Sequence, residues 1–597
     1  MKTIFGISSD TLEQFEQAAR QSAECGATHL VVTEDLPVAQ WQFDTPGDPY
    51  PAWYAFQPGL LKTFPPSSIR SFVDEAHAER VGEILQKRCA ILRRHNLRGV
   101  YHTTEPQVLP EALYALHPDW RGPRVDQPNR SRVARFAPCV GHPGVLQLYA
   151  EAVHLLLQKC PEIDTFLFLT IDSGSGFCWA PSLYPGANGC DCCSSDDLGE
   201  RAVNFITSLQ ESAKREGAAL EIELVEIEPR SWMRQTFTNP RTLATRLPPG
   251  LSINHHEGPN GNRFASGRFC NLFYNAFYPV VGLPRPVDFL RKLTDNNTAG
   301  GKRTILSFND GLNTDLNTAL FKAFQGKSAA DPLDAMRLLH QVAENFYGSD
   351  SAGQVLEMWT AIDDAERQLS SLDFGPFLLM GGLLARWITR PFVPFPEDLD
   401  ETERESFFPY LFQARDETSA LNLIDIQAMR MFEGWGARLL VEQTVEVTLS
   451  HLSRARMAAE SLNAQPGFAS SLMVSRLDLL ACLLRNGRHA VAYQAQLDLM
   501  KVGLSPDEAR PPPPLGATAS WDHLDLVNTA RAEIDNTERL LDIIAANPGA
   551  VIDMTPEGSP ETIMRFSSTL QDHLQRKIRT MNAKWADYDR LSPPANP

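Results

Sequence analysis

Carboxylates recur where apolar runs end: Glu34 and Asp35 after HLVVT, Asp172 after FLFLTI, Glu226 and Glu228 after ALEIELV, Glu257 after LSINHH, and Asp310 after TILSFN. An acid on a buried run has either a partner or a task, because an unpaired buried charge is costly. Two such acids in unlike surroundings do proton chemistry. One stays protonated and donates to a leaving oxygen; the other, ionised, activates water or attacks carbon. Asp172 leads as the donor, since residues 166–171 carry it into a Gly/Ser turn and then a loop with Phe177, Trp179 and Tyr184. Glu257 leads as base or nucleophile, with Glu228 and Asp310 as substitutes. Flat aromatic rings beside an acid suit a sugar, which offers an apolar ring face and a leaving oxygen that needs a proton.

The polar residues around these acids extend that chemistry. His102, His142, His255 and His256 lie at run ends or in the following loops, where imidazoles grip hydroxyls. Trp179, Asn309, Glu34 and Asp35 join them as substrate-binding candidates. Arg230 heads a group with Arg234, Arg263 and Arg268. The planar guanidinium fork fits a carboxylate, which points to an acidic sugar such as a uronic or sialic acid. A rival reading builds a metal site from His255, His256 and a carboxylate, as in metal-dependent barrel hydrolases or isomerases, although no H-x-H or H-E-x-x-H motif is present. A second rival is a non-catalytic carbohydrate-binding protein whose strand-end acids are salt bridges. No Walker A loop, G-x-G-x-x-G or G-x-S-x-G motif occurs, so no cofactor is expected, and no metal ligand is assigned.

Positioning so many acids at one rim requires a particular fold. Strand and helix signals alternate through the first half, with strands expected at 3–7, 29–33, 97–102, 165–171, 219–227, 251–254, 269–277 and 304–308. Helices are expected between them at 10–25, 75–95, 144–159 and 196–216. This is the α/β pattern of a (β/α)8 TIM barrel over residues 1–325, whose chemistry sits where strands end. From 326 to 597 the periodicity becomes helical, with an apolar stripe at Val441, Val445, Leu449, Leu452 and Ala455 and a Pro-rich linker at 506–516. That helical domain is also the candidate homodimer face.

Composition narrows the class. The chain has 597 residues and a net charge of −18, which argues against nucleic-acid and anionic-membrane partners and leaves an oligosaccharide or glycoside substrate. The N-terminus lacks the roughly 7–15 apolar residues of a secretory leader, and no run reaches the roughly 18–20 of a membrane span, so the expected compartment is the cytoplasm. Among ten cysteines, Cys178, Cys190, Cys192 and Cys193 cluster beside the Asp172 loop, where zinc, a disulfide and free thiols all remain open.

With these residues in place, the chain resembles barrel glycoside hydrolases of the α-glucuronidase and β-hexosaminidase type. Residues 166–179 match the segment in which those families place an acid at the end of the fourth strand, and the resemblance implies a proton-donor role for Asp172. The segment NHHEGPN at 254–260 is similar to the later strand end that carries a second acidic or substrate-binding group. The α-glucuronidases have Glu where this chain has Asp172. The hexosaminidases show an adjacent Asp-Glu pair, whereas Ser173 follows Asp172 here. The resemblance therefore implies a glycosidase rather than a particular sugar.

Overall fold

Short apolar strands separated by amphipathic helices pair in parallel, because each helix carries the chain back to the end where the previous strand began. The computed structural model describes residues 2–37, 59–124, 135–169, 177, 198–225, 242–243, 245–253, 256–257, 264–265, 277–298, 303–308, 314–325, 332–371, 378–379, 386–395, 398–403, 434–462, 468–501, 526–555 and 565–591. They fall into two units. The first comprises Met1–Pro128, Val133–Asn271 and Leu290–Pro332; the second comprises Asn129–Arg132, Leu272–Phe289 and Leu333–Pro597.

The first unit is built on one sheet. Its strands are β1 (Lys2–Ile7), β2 (His29–Val31), β3 (Arg98–Thr104), β6 (Ile163–Leu169), β7 (Glu221–Val225), β8 (Leu251–Ile253), β9 (His256–Glu257), β10 (Phe264–Ala265) and β11 (Arg303–Phe308). Two further strands, β4 (Arg121–Arg124) and β5 (Phe136–Pro138), which are not among the strands expected from sequence, form a separate antiparallel pair. The Arg121 guanidinium anchors that pair, lying 5.1 Å from the Tyr114 ring centroid and 4.7 Å from that of Phe136.

The sheet order is β10-β11-β1-β2-β3-β6-β7-β8-β9, and every neighbouring pair is parallel except β8–β9. Read from β1, the parallel strands follow chain order, with the last two in sequence, β10 and β11, on the other side of β1. Among the described residues, the seventh parallel strand in chain order is Phe264–Ala265; of the strand expected at 269–277, only Phe277 is described. Phe277 sits in a turn, and residues 269–276 lie outside the described residues.

The sheet also curls. Lys2 Nζ on β1 lies 3.1 Å from Glu221 on β7, four strand intervals away in the sheet order. In a flat sheet those strands would stand about 19 Å apart, at about 4.8 Å per interval. The concave face carries the apolar cluster Ile4, Val31, Val100 and Leu167, one residue from each of four adjacent strands. The alternate residues face the helices. Phe5 meets Phe321 edge-on at 5.4 Å, and between two neighbouring helices Tyr149 meets Phe205 at 5.0 Å. Each such side chain contributes roughly 1.5–3 kcal/mol when removed from water.

Helices α1 (Leu12–Glu24), α2 (Leu60–Thr63), α3 (Glu75–Arg94), α4 (Glu111–Leu116), α5 (Pro143–Lys159), α6 (Leu198–Arg215), α7 (Pro286–Thr298) and α8 (Thr314–Phe324) join the strands. The first begins on a capping box: Thr11 Oγ1 accepts from the Gln14 amide at 3.2 Å, and Gln14 Oε1 accepts from the Thr11 amide at 3.1 Å. Thr11 is therefore the N-cap.

The second unit is helical. Ser349–Ser370 packs on Gly434–Ser461, which packs on Ser470–Lys501, followed in turn by Leu526–Ala546 and Leu570–Ala583. At its centre Glu533 accepts from Lys577 Nζ at 2.5 Å and Asn486 Nδ2 at 2.6 Å and bonds His489 Nδ1 at 2.7 Å, all four residues being buried. The stretch 506–516 lies outside the described residues.

Candidate active site

Parallel strands in register bring residues far apart in sequence into one row. His102 on β3 pairs with Leu167 on β6, Leu167 with Glu223 on β7, and Glu223 with Ser252 on β8. Register partners share a face, so this row lies on the concave face with Leu167, and three of its four members are polar. Thr33 extends it to the end of β2. Its hydroxyl donates to the His102 carbonyl at 2.7 Å and accepts from the His102 amide at 2.9 Å. Burial pushes the His102 imidazole down to about 4, so the ring is neutral near pH 7. Ser252 is 1% exposed, and its Oγ has no hydrogen-bond partner.

Glu34 and Asp35 follow β2 directly. Asp35 adopts a left-handed backbone with φ 51, a region that Asp tolerates better than most residues. Its Oδ2 accepts from the Ser8 hydroxyl and, at 2.8 Å, from the Ser9 amide, which ties the end of β2 to the end of β1. Arg88, from the helix Glu75–Arg94, is 1% exposed and clamps the same corner. Its Nη1 donates to the carbonyls of Val32 at 2.8 Å and Glu34 at 2.6 Å, and its Nη2 to that of Ser9 at 2.7 Å. Glu34 is half-buried, but its Oε1 is fully covered and has no hydrogen-bond partner. Burial, reinforced by the Asp35 charge and opposed by Arg88, pushes its carboxyl up to about 8.

The remaining sequence candidates fall in different places. Asp172, Glu228, Asp310, Trp179, His255, Asn309 and Arg230 lie outside the described residues, as do Cys178 proper to its loop, Cys190, Cys192 and Cys193. For His256 and Glu257 the backbone alone is described. Sequence extends the sixth strand until it ends on these residues; instead the strand stops at Ile253, and His256–Glu257 returns antiparallel, pairing Ile253 with His256 and Ser252 with Glu257. A three-residue apolar run supports only a short strand, and the polar return pairs with its outer edge. Glu257 is thereby set level with Ser252, in line with Glu223. His142 begins the helix Pro143–Lys159. Its Nδ1 accepts from the Gly144 amide at 3.1 Å, and its Nε2 lies 3.0 Å from Asp119, so both ring nitrogens are engaged by the fold.

Sequence places Glu223 with Glu221 on one face of the fifth strand but gives it no role at the site, and it does not single out Arg88. Glu223 is 1% exposed, and its position two residues from Glu221 in a β-branched run is the signal that it shares that residue's face. Arg88 carries no such signal, because its partners are backbone carbonyls. A further buried acid, Glu105, accepts from the Leu60 amide at 2.6 Å and the Tyr149 hydroxyl at 2.9 Å and fastens the short helix Leu60–Thr63. Burial pushes Glu105 up and the nearby Lys62 down, each to about 7.

Among the described residues, Asp288, Asp363 and Glu366 in the second unit stand close enough to share a cation. Arg285 already bonds two of them, reaching Asp288 at 2.9 Å and Glu366 at 2.6 Å, so this cluster reads as an ion-pair network. No helix among the described residues is long and apolar enough to cross a membrane.

No protein-family model matches the chain, and no curated protein matches it. Among solved structures, a GH138 enzyme targeting pectin rhamnogalacturonan II is similar over 100% of this chain and 69% of its own, at 9% identity and a TM-score of 0.48. A mutant of the Thermobaculum terrenum O-GlcNAc hydrolase is similar over 100% of this chain and 97% of its own, at 9% identity and a TM-score of 0.34. The GH20 modules of the pneumococcal exo-β-D-N-acetylglucosaminidase StrH cover 58% of this chain and 92% of their own, at 11% identity and a TM-score of 0.28. At such identity and superposition, the reaction has to be read from the site itself.

Proposed function

We propose that the chain is a glycoside hydrolase that removes a terminal sugar from oligosaccharides by carboxylate acid–base catalysis. The observation that carries this reading is the polar row at the C-terminal side of a curled parallel sheet: Thr33, His102, Glu223 and Ser252, flanked by Glu34 and Asp35. Hydroxyl, neutral imidazole and carboxyl groups on one concave face match a polyhydroxylated ligand. In this reading the sheet closes as a (β/α)8 barrel over residues 1–325, with a helical domain from 326 to 597; the contact between Lys2 and Glu221 supports closure.

Asp172 donates the proton to the leaving oxygen, and Glu257 serves as base or nucleophile, with Glu228 and Asp310 as substitutes. His102 and Trp179 hold hydroxyls and ring face, and Arg230 recognises a carboxylate if the sugar is acidic. The separation of the two carboxyls sets the stereochemistry, about 5–5.5 Å for retention and roughly 6.5–9.5 Å for inversion. The test is a screen of nitrophenyl glycosides and natural oligosaccharides, including uronic and sialic acid conjugates. Turnover of one sugar class that disappears in Asp172→Asn is expected. Absence of turnover across the panel would overturn the reading.

A further inference from the structure

Two thiols meet beside the start of β6. Cys25, Cys89, Cys139, Cys160 and Cys482 are free and buried among the described residues, and of these Cys89 and Cys160 share a hydrogen bond. Cys89 lies on α3 (Glu75–Arg94), and Cys160 caps the end of α5 (Pro143–Lys159) just before β6. Residues three and four apart share a helix face, so Cys89 points the same way as Leu92 and Arg93. Both of those reach the starts of β3 and β6. A Cβ at Gly99 would stand 3.3 Å from Leu92 Cδ1 and 3.0 Å from Ile163 Cγ1, and Arg93 Nε donates to Glu162 Oε1 at 2.8 Å. The Cys160 backbone is held on both sides: its amide donates to the Leu156 carbonyl at 2.8 Å, and its carbonyl accepts from the Ile163 amide at 3.1 Å. The meeting of the sulfurs therefore follows from how α3 is laid against the sheet.

We propose that Cys89 and Cys160 are a disulfide site, and that oxidation staples α3 to the start of β6 and encloses residues 90–159. The co-reactant is a small disulfide such as oxidised glutathione. One cysteine thiolate attacks it, forming a mixed disulfide and releasing one reduced glutathione. The second thiolate attacks the protein sulfur of that mixed disulfide and releases another. The two protein thiols lose their hydrogens and two electrons, and both glutathione halves leave as thiols. In the folded chain the bond to Cys160 and burial keep the Cys89 thiol protonated, and both sulfurs are covered, so the exchange runs while α3 is open. Once α3 docks, sulfurs already in contact close to a bond of about 2.05 Å by rotation of two short side chains. The link lies at the strand ends opposite the row from Thr33 to Ser252, so it acts on stability rather than on that row.

The test incubates the purified full chain with oxidised glutathione, and in parallel with dithiothreitol, in urea just below the unfolding transition, where local opening uncovers both sulfurs. Alkylation of Cys89 and Cys160 by iodoacetamide in the same urea checks that they are reached. After return to buffer, the chain is digested without reduction and mapped by mass spectrometry. A peptide pair joining Cys89 to Cys160, two hydrogens lighter than the reduced pair, is expected. The oxidised chain should melt about 5 °C above the dithiothreitol-treated one. Cys89→Ala and Cys160→Ala should each lose both the linked peptide and the oxidant-dependent rise; the peptide map of the parent decides even where a variant melts early. Recovery of the two cysteines as free or glutathione-capped thiols, pairing of either with another cysteine, or a link that leaves melting unchanged would overturn the assignment.

Discussion

At the N-terminal ends of the parallel strands, Asp164 meets His29 Nε2 at 3.0 Å, Arg98 Nε at 2.9 Å and Lys2 Nζ at 3.8 Å, and Lys2 reaches on to Glu221. At the C-terminal ends, Glu34 has a covered oxygen that nothing in the fold bonds. Burial opposes the charge of Asp164, but the His29 bond, the nearby positive charges and the Arg98 bond hold its carboxyl well below the usual range. Burial also pulls His29 down, so near pH 7 Lys2 and Arg98 supply the net positive charge. Glu34 moves the opposite way. One end of the sheet pairs its ions with one another; the other carries a carboxyl whose covered oxygen no group of the fold bonds.

Substitutions at each end sharpen that contrast. The largest effect is expected at Asp172: Asp172→Asn should lower turnover about 1,000-fold, within the range for loss of a general acid, with an unchanged melting temperature. Asp164→Asn should do the reverse, costing on the order of 3 kcal/mol in denaturant unfolding by stranding Lys2 and Arg98, while turnover per folded molecule holds. The pH dependence of stability should also differ in sign. Asp164 has a lowered carboxyl value, so its contribution is present above the ordinary Asp range and lost as pH falls below it. Glu34 has a raised value, so its contribution is present below the ordinary Glu range and lost as pH rises through about 8. Melting scans should therefore lose part of their acid limb in Asp164→Asn and part of their alkaline limb in Glu34→Gln. The smallest effect is expected at Ser252. Ser252→Ala removes an unpartnered buried hydroxyl and should raise stability by about 1 kcal/mol, measured by urea unfolding. A loss of stability instead would mean that the hydroxyl is satisfied within the fold, and would remove Ser252 from the site.

Most of the sheet was legible because its strands are apolar runs of four to seven residues or short β-branched cores bounded by turn residues. Phe264–Ala265 was not legible because a two-residue strand makes only two register pairs and leaves almost no signal. The antiparallel pair Arg121–Arg124 and Phe136–Pro138 was missed because Pro and Arg mask strand propensity, and stacking of Arg121 on two rings holds the strands there. Thr11 caps the first helix because its spacing to Gln14 completes the reciprocal pair of hydrogen bonds.

The sequence by itself determined the alternation of strands and helices and the placing of acids at strand ends, since both depend on side-chain period and on neighbours a few residues away. Only the tertiary structure decided which of those groups are neighbours. The curl that brings Lys2 to Glu221, the row from His102 to Ser252, the return that sets Glu257 beside Ser252, and the clamp of Arg88 on three carbonyls all join residues with no local relation. The same holds for protonation. Glu34 and Asp164 are both acids beside buried runs, and what separates them is whether the folded chain brings a positive charge within hydrogen-bonding distance.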